Sequence, residues 1–170
     1  MRCGEQQRVP NNQLKFAVEQ GVENLRVQDS TLAKLRDRAA GILLAASLVI
    51  SIAGGFGVTK KNSVFLPTWT AILLLAILVL IGALVVVVQW PVGGWSFGLH
   101  PALILKRIDE GDNEDALHRY LINELVQAMA ANGKTIKIRG RLYRLAAVLL
   151  IAEVAIFAWA LAFHIGEAAK

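Results

Sequence analysis

One carboxylate, Glu153, stands near the middle of an apolar run at residues 143–164. At the centre of a bilayer such a group costs about 2.5–3.5 kcal/mol or more, so it needs a polar partner or a water path. Helical spacing gives it neighbours. Ala146 and Ala160 lie seven positions either side, Phe157 four beyond, and His164 close to the same angular position near the end of the run. Two chemistries fit. In the first, Glu153 is protonated and bonds to Ser47 or Ser51, which fall at similar depth in an earlier apolar run. That is the commoner use of a single polar residue in a span, as glue between helices. In the second, several chains associate and their Glu153 side chains line a cation-attracting path.

A second group of chemistry-bearing residues precedes the same run. Lys134, Lys137, Arg139, Arg141 and Arg144 form a basic cluster, and helical spacing puts four of them, all but Arg139, on one face. Basic residues beside a span bind anionic lipid and fix topology. The same charges suit a phosphorylated ligand, although no glycine-rich phosphate loop accompanies them. The acidic stretch Asp109-Glu110-Gly111-Asp112-Asn113-Glu114-Asp115 lacks the ligand alternation of a calcium loop. It reads as a turn in which Asp112 or Asn113 caps the next helix. There is no GxSxG, Walker A or HExxH motif. His100, His118 and His164 are scattered, and the single Cys3 rules out an intrachain disulfide. We expect no enzyme activity, no metal, no cofactor and no nucleic-acid partner.

Three apolar runs, at 39–58, 68–90 and 143–164, must position these groups. Each matches the roughly 20 residues that a helix needs to cross a bilayer. Hydrophobic residues make up 55% of the chain and charged ones 18%, which leaves too little sequence outside the spans for a sizeable soluble core. The net charge is +5, and the Lys and Arg residues are concentrated before Ala39 and between Pro91 and Arg144, with only Lys60 and Lys61 between the first two spans. The positive-inside rule therefore puts 1–38 and 91–142 in the cytoplasm and the loop 59–67 and tail 165–170 outside. The polar N-terminus has no signal-peptide core, so the first span is expected to direct its own insertion. Trp69 and Trp90 bracket the second span as interfacial aromatics, Pro67 starts it, and Pro91, Gly93 and Gly94 end it.

Residues 12–38 carry Leu14, Val18, Val22, Leu25, Leu32 and Leu35 near a 3.5-residue period, weakened by Gly21 and by Asp29-Ser30-Thr31. The reading favoured is an amphipathic helix on the membrane surface rather than a self-associating coil. Asp29 or Ser30 is expected to cap a second helix that enters the first span. From Asn113 a long helix bears the stripe Leu117, Tyr120, Leu121, Leu125, Val126 and Met129, ended or kinked at Asn132-Gly133. That stripe needs cover, from the N-terminal helix or from another subunit. Ser47, Ser51 and Gly55 make a small-residue stripe that lets a helix approach closely. The expectation is an all-α bacterial plasma-membrane protein with three transmembrane helices and cytoplasmic amphipathic helices. It is expected to assemble as a homo-oligomer through Gly55, Leu117, Leu121 and Leu125, among anionic lipids or with a membrane-complex partner.

Several features carry a resemblance. They are Leu32-Ala33-Lys34-Leu35-Arg36-Asp37-Arg38-Ala39-Ala40-Gly41 leading into the first span, Trp90-Pro91 leaving the second, and Trp95-Ser96-Phe97. The proline-started helix at Pro101, Asn132, and the basic approach to a glutamate-bearing third span complete it. From about residue 25 the layout resembles small, largely actinobacterial membrane proteins, which are similar to the Pycsar transmembrane effectors and SLATT-domain proteins. The resemblance implies oligomers that impair the membrane on a signal, in antiphage defence. No separate sensor domain is expected from these residues, which leaves that role open to a partner subunit.

Overall fold

A computed structural model of the protein describes residues 11–58, 68–95 and 100–168. Every element in them is a helix: α1 (Asn11–Val58), α2 (Thr68–Gln89), α3 (Pro101–Asp109) and α4 (Glu114–Ala168). Three of the four, α1, α2 and α4, are long and apolar enough to cross a membrane. The loop 59–67, Phe97 and Cys3 lie outside the described residues, as do the side-chain surroundings of Gly55 and His164.

The two long helices do not break where punctuation residues suggested. α1 runs through Asp29-Ser30-Thr31. The Ser30 and Thr31 hydroxyls donate to the Val27 carbonyl at 2.9 and 2.8 Å, so they close on the preceding turn instead of capping a new helix. α4 likewise runs through Asn132-Gly133, and Asn132 is buried in its middle. A cap does form at Asn113, whose Oδ1 accepts the Ala116 N–H at 2.8 Å.

The reason for this continuity is a seven-residue repeat. On α1, Leu25, Leu32, Ala39, Ala46 and Ala53 are buried at that spacing. On α4 the buried set is Leu125, Asn132, Arg139, Ala146, Glu153 and Ala160. This is the seam of coiled-coil packing, which keeps one face of a long helix turned to its partners. It outweighs the local cost of Gly133 or of a Ser-Thr pair, each worth at most about 1 kcal/mol.

The chain divides into two compact units. The first comprises Met1–Leu32 and Val92–Ile136. In it Leu25, Leu125 and Ala128 form a buried cluster with Val18 and Met129 against it. Gly21 is an asset here, because a Cβ at that position would sit 2.8 Å from Leu125 Cδ1. The glycine lets the helices close up. Gln28 Nε2 adds a 3.2 Å bond to the Met129 carbonyl. The N-terminal half of α1 thus packs on Leu125 and Met129 of the α4 stripe within one chain, while Val126 stays 54% exposed. The acidic stretch is the turn between α3 and α4. Gly111 takes φ 84° there, Arg107 meets Asp112 at 3.4 Å, and the Arg107 guanidinium lies 4.6 Å over the Tyr120 ring.

The second unit comprises Ala33–Pro91 and Lys137–Lys170. Its core joins Ala39, Ile42 and Ala46 of α1, Ile81, Val85 and Val88 of α2, and Ala146 of α4. A smaller cluster of Ala53, Ala160 and Phe157 continues it. The outward surface is apolar as well: Leu44, Leu48, Ile72, Val79, Val148 and Ile151 are each more than half exposed. Water would be a poor host for that surface, and lipid a good one.

Candidate functional site: a sealed carboxyl among apolar helices

Two contacts set the register of α2 against α4. Trp69 and Trp159 meet at one end, with ring centroids 6.5 Å apart. At the other end Arg139 donates to the Val88 and Trp90 carbonyls at 2.5 and 2.6 Å. The helices are therefore antiparallel. Glu153 lies about 9 Å short of Trp159 and about 21 Å beyond Arg139, at about 1.5 Å of rise per residue.

At that depth Glu153 has 0% exposure, and neither carboxyl oxygen has a hydrogen-bond partner among the described residues. Thr70 on α2 is in the same condition, fully buried with its hydroxyl oxygen unpaired. From the register, Thr70 lies about 7 Å nearer the Trp69 end than Glu153 does, too far for a direct bond. Buried polar groups are bonded in the great majority of cases. Glu153 and Thr70, two such exceptions among apolar neighbours, mark a place where the fold is open to chemistry.

The expected serine partners do not reach Glu153. Ser47 Oγ donates to the Leu43 carbonyl at 2.9 Å and Ser51 Oγ to the Ser47 carbonyl at 2.8 Å, and both residues are exposed. A serine in a span closes on its own helix in this way when it faces lipid. Close packing onto α1 falls instead to Ala39, Ala46 and Ala53. The expected face of Ala146, Glu153, Phe157 and Ala160 does turn inward, with Phe157 only partly buried. Glu153 is thus enclosed by its own chain, not presented on the outside of the bundle.

The basic cluster splits. Lys134, Lys137, Arg141 and Arg144 are exposed, and Arg144 Nε donates to the Gly140 carbonyl at 3.3 Å. Arg139 is buried, 8% exposed, and caps α2. A cation on the last carbonyls of a helix offsets both the unsatisfied acceptors and the negative end of the dipole. Burial, and then the charge of Arg36, lower the Arg139 pKa from its ordinary value. Arginine keeps its proton at physiological pH regardless. Among the residues expected at an interface between chains, Leu117 is half-buried, while Leu121 and Leu125 are 8% and 1% exposed. They offer little surface to a second copy while α1 and α4 stay paired.

Sequence reasoning passed over Thr70 and Arg36. A threonine beside an interfacial tryptophan has no distinctive spacing, and Arg36 is one of several basic residues before the first span. Compared with known proteins, the chain matches no family model, no curated protein and no solved structure.

Proposed function

We propose that this protein is a non-enzymatic membrane effector that, as a homo-oligomer, raises the permeability of a bacterial plasma membrane. The observation that carries the reading is the fully buried, unpartnered carboxyl of Glu153 within the helices long enough to span. Such a group favours any rearrangement that brings it water or a cation, because solvation removes its desolvation cost. The state described is then the closed one. Opening parts α1, α2 and α4 enough to hydrate Glu153 and Thr70. The exposed Ser47–Ser51 face, its hydroxyls already satisfied, offers a second copy a close approach without an orphaned donor. By the layout resemblance, the setting would be antiphage defence. The N-terminus would lie inside and the C-terminus outside, with anionic lipid around the exposed basic residues. The test is overexpression with a membrane-potential dye. Wild type depolarises cells, and Glu153→Gln does so less at equal protein level. Equal depolarisation by the two would sink the role of Glu153.

A second reading is an accessory subunit of a larger membrane complex. It is favoured by the exposed apolar residues of the first unit: Phe16, Val22, Val27, Leu105 and Val126. It predicts a fixed partner in stoichiometric amount after mild-detergent purification, and no conductance from the isolated chain.

A further inference from the structure

Arg36 and Arg139 lie at one end of the apolar seam of the second unit. Leu35 packs on the cluster that holds Val88, as do Leu142 and Tyr143, one turn beyond Arg139. Arg139 spends one N–H on the Val88 carbonyl and one on the Trp90 carbonyl. Its remaining N–H groups have no acceptor among the described residues, and a guanidinium has five donors in all. Arg36 is half-buried, and its Nε is buried without a partner. Ala39, Val88 and Ala146 share one buried cluster, which brings the Arg36 turn of α1 and the Arg139 turn of α4 to the same end of it. The ion pairs among the described residues are Arg26–Glu23, Lys106–Glu110 and Arg107–Asp112, so no described carboxylate neutralises either arginine. Two fixed like charges with unused donors, partly removed from water, are costly unless an anion joins them.

We propose that Arg36 and Arg139 together bind a phosphate-bearing anion. Planar guanidinium forks match phosphate oxygens with paired, charge-assisted bonds. The site sits where an apolar seam ends beside the approaches to two spans, which is where lipid headgroups carry their phosphates. The ligand is therefore an anionic lipid headgroup or a soluble phosphate, and both have the same chemistry at the arginines. Binding would join α1, through Arg36, to the Arg139 cap on α2 and α4.

Native mass measurement of the full chain in mild detergent tests this. The probes are phosphatidylglycerol, phosphatidylcholine and inorganic phosphate at matched ionic strength. The variants are Arg36→Gln and, as an exposed control, Arg141→Gln. Retention of phosphatidylglycerol over phosphatidylcholine assigns a lipid, and retention of phosphate without lipid assigns a soluble anion. In either case Arg36→Gln should bind about tenfold more weakly, the loss of one hydrogen bond to a charged group. Arg141→Gln should bind as wild type does. Without added anion, Arg36→Gln should unfold at the same temperature as wild type or higher, because one of two like charges is gone. The proposal is overturned if wild type retains neither anion, if Arg36→Gln binds equally well, or if it is less stable without anion.

Discussion

Replacing Glu153 with leucine should make the protein more stable. Glu153 has no exposure and no hydrogen-bond partner, so its carboxyl contributes a desolvation cost and no compensating bond. A buried polar group left unsatisfied costs about 1–3 kcal/mol. Leucine has a similar volume and occupies the same seam as Ala146 and Ala160. It gains little hydrophobic energy over lipid, since lipid tails are as apolar as the core. The expected gain is therefore the relieved penalty, about 1–3 kcal/mol. Glu153→Gln keeps a polar group in the same place and should change stability by less than about 1 kcal/mol. Glu153→Ala relieves the penalty but leaves a cavity, and a leucine-sized deletion costs about 2–5 kcal/mol. It should therefore fall well below leucine. The assay is reversible unfolding in mixed micelles by titration with sodium dodecyl sulfate, followed by fluorescence of the four tryptophans. The order Leu above Gln, with Gln near wild type, is predicted. If leucine destabilises while glutamine is neutral, Glu153 has a bonding partner and the sealed, unpartnered site is wrong.

Gly21→Val should weaken the pairing of α1 with α4 by about 1–3 kcal/mol, because a Cβ there meets Leu125 Cδ1 at 2.8 Å; a melting curve in detergent would show no loss if the contact were slack. Arg139→Leu frees the Val88 and Trp90 carbonyls, at about 1.5–3 kcal/mol per charged bond, and hydrogen exchange should rise at the end of α2 with little change at α3. In a Cys3→Ser background, Lys61→Cys should react with an impermeant thiol reagent from outside and Asn113→Cys should not; the reverse pattern would invert the topology. Ser51→Leu should give a lower native mass than the wild-type assembly, since it blocks an exposed small-residue face. A monomeric wild type at working concentration would end the homo-oligomer reading.

The apolar runs made the three long helices legible, because a stretch of that length and composition has few alternatives. The inward turn of Ala146, Glu153 and Ala160 was also readable, from their seven-residue spacing. What misled was local punctuation. Asp29-Ser30-Thr31 and Asn132-Gly133 look like helix ends, and a long-range seam carries the helices through both. The serine stripe misled for a related reason. Ser47 lies next to Ala46, and one residue is about 100° of rotation on a helix of 3.6 residues per turn. Ala46 turns to the core and Ser47 turns out. Spacing alone shows that a face exists; only the packed partners decide which of two adjacent faces is used. Thr70 and Arg36 escaped notice because their importance comes from what surrounds them, which no motif encodes.

The most direct test of the permeability claim is ion flux through the purified protein in liposomes that contain anionic lipid, with wild type and Glu153→Gln reconstituted at equal density. The account predicts protein-dependent flux for wild type and a clear reduction for Glu153→Gln. It is contradicted if wild-type vesicles stay as tight as empty ones while the protein is folded and inserted, or if the two proteins conduct alike.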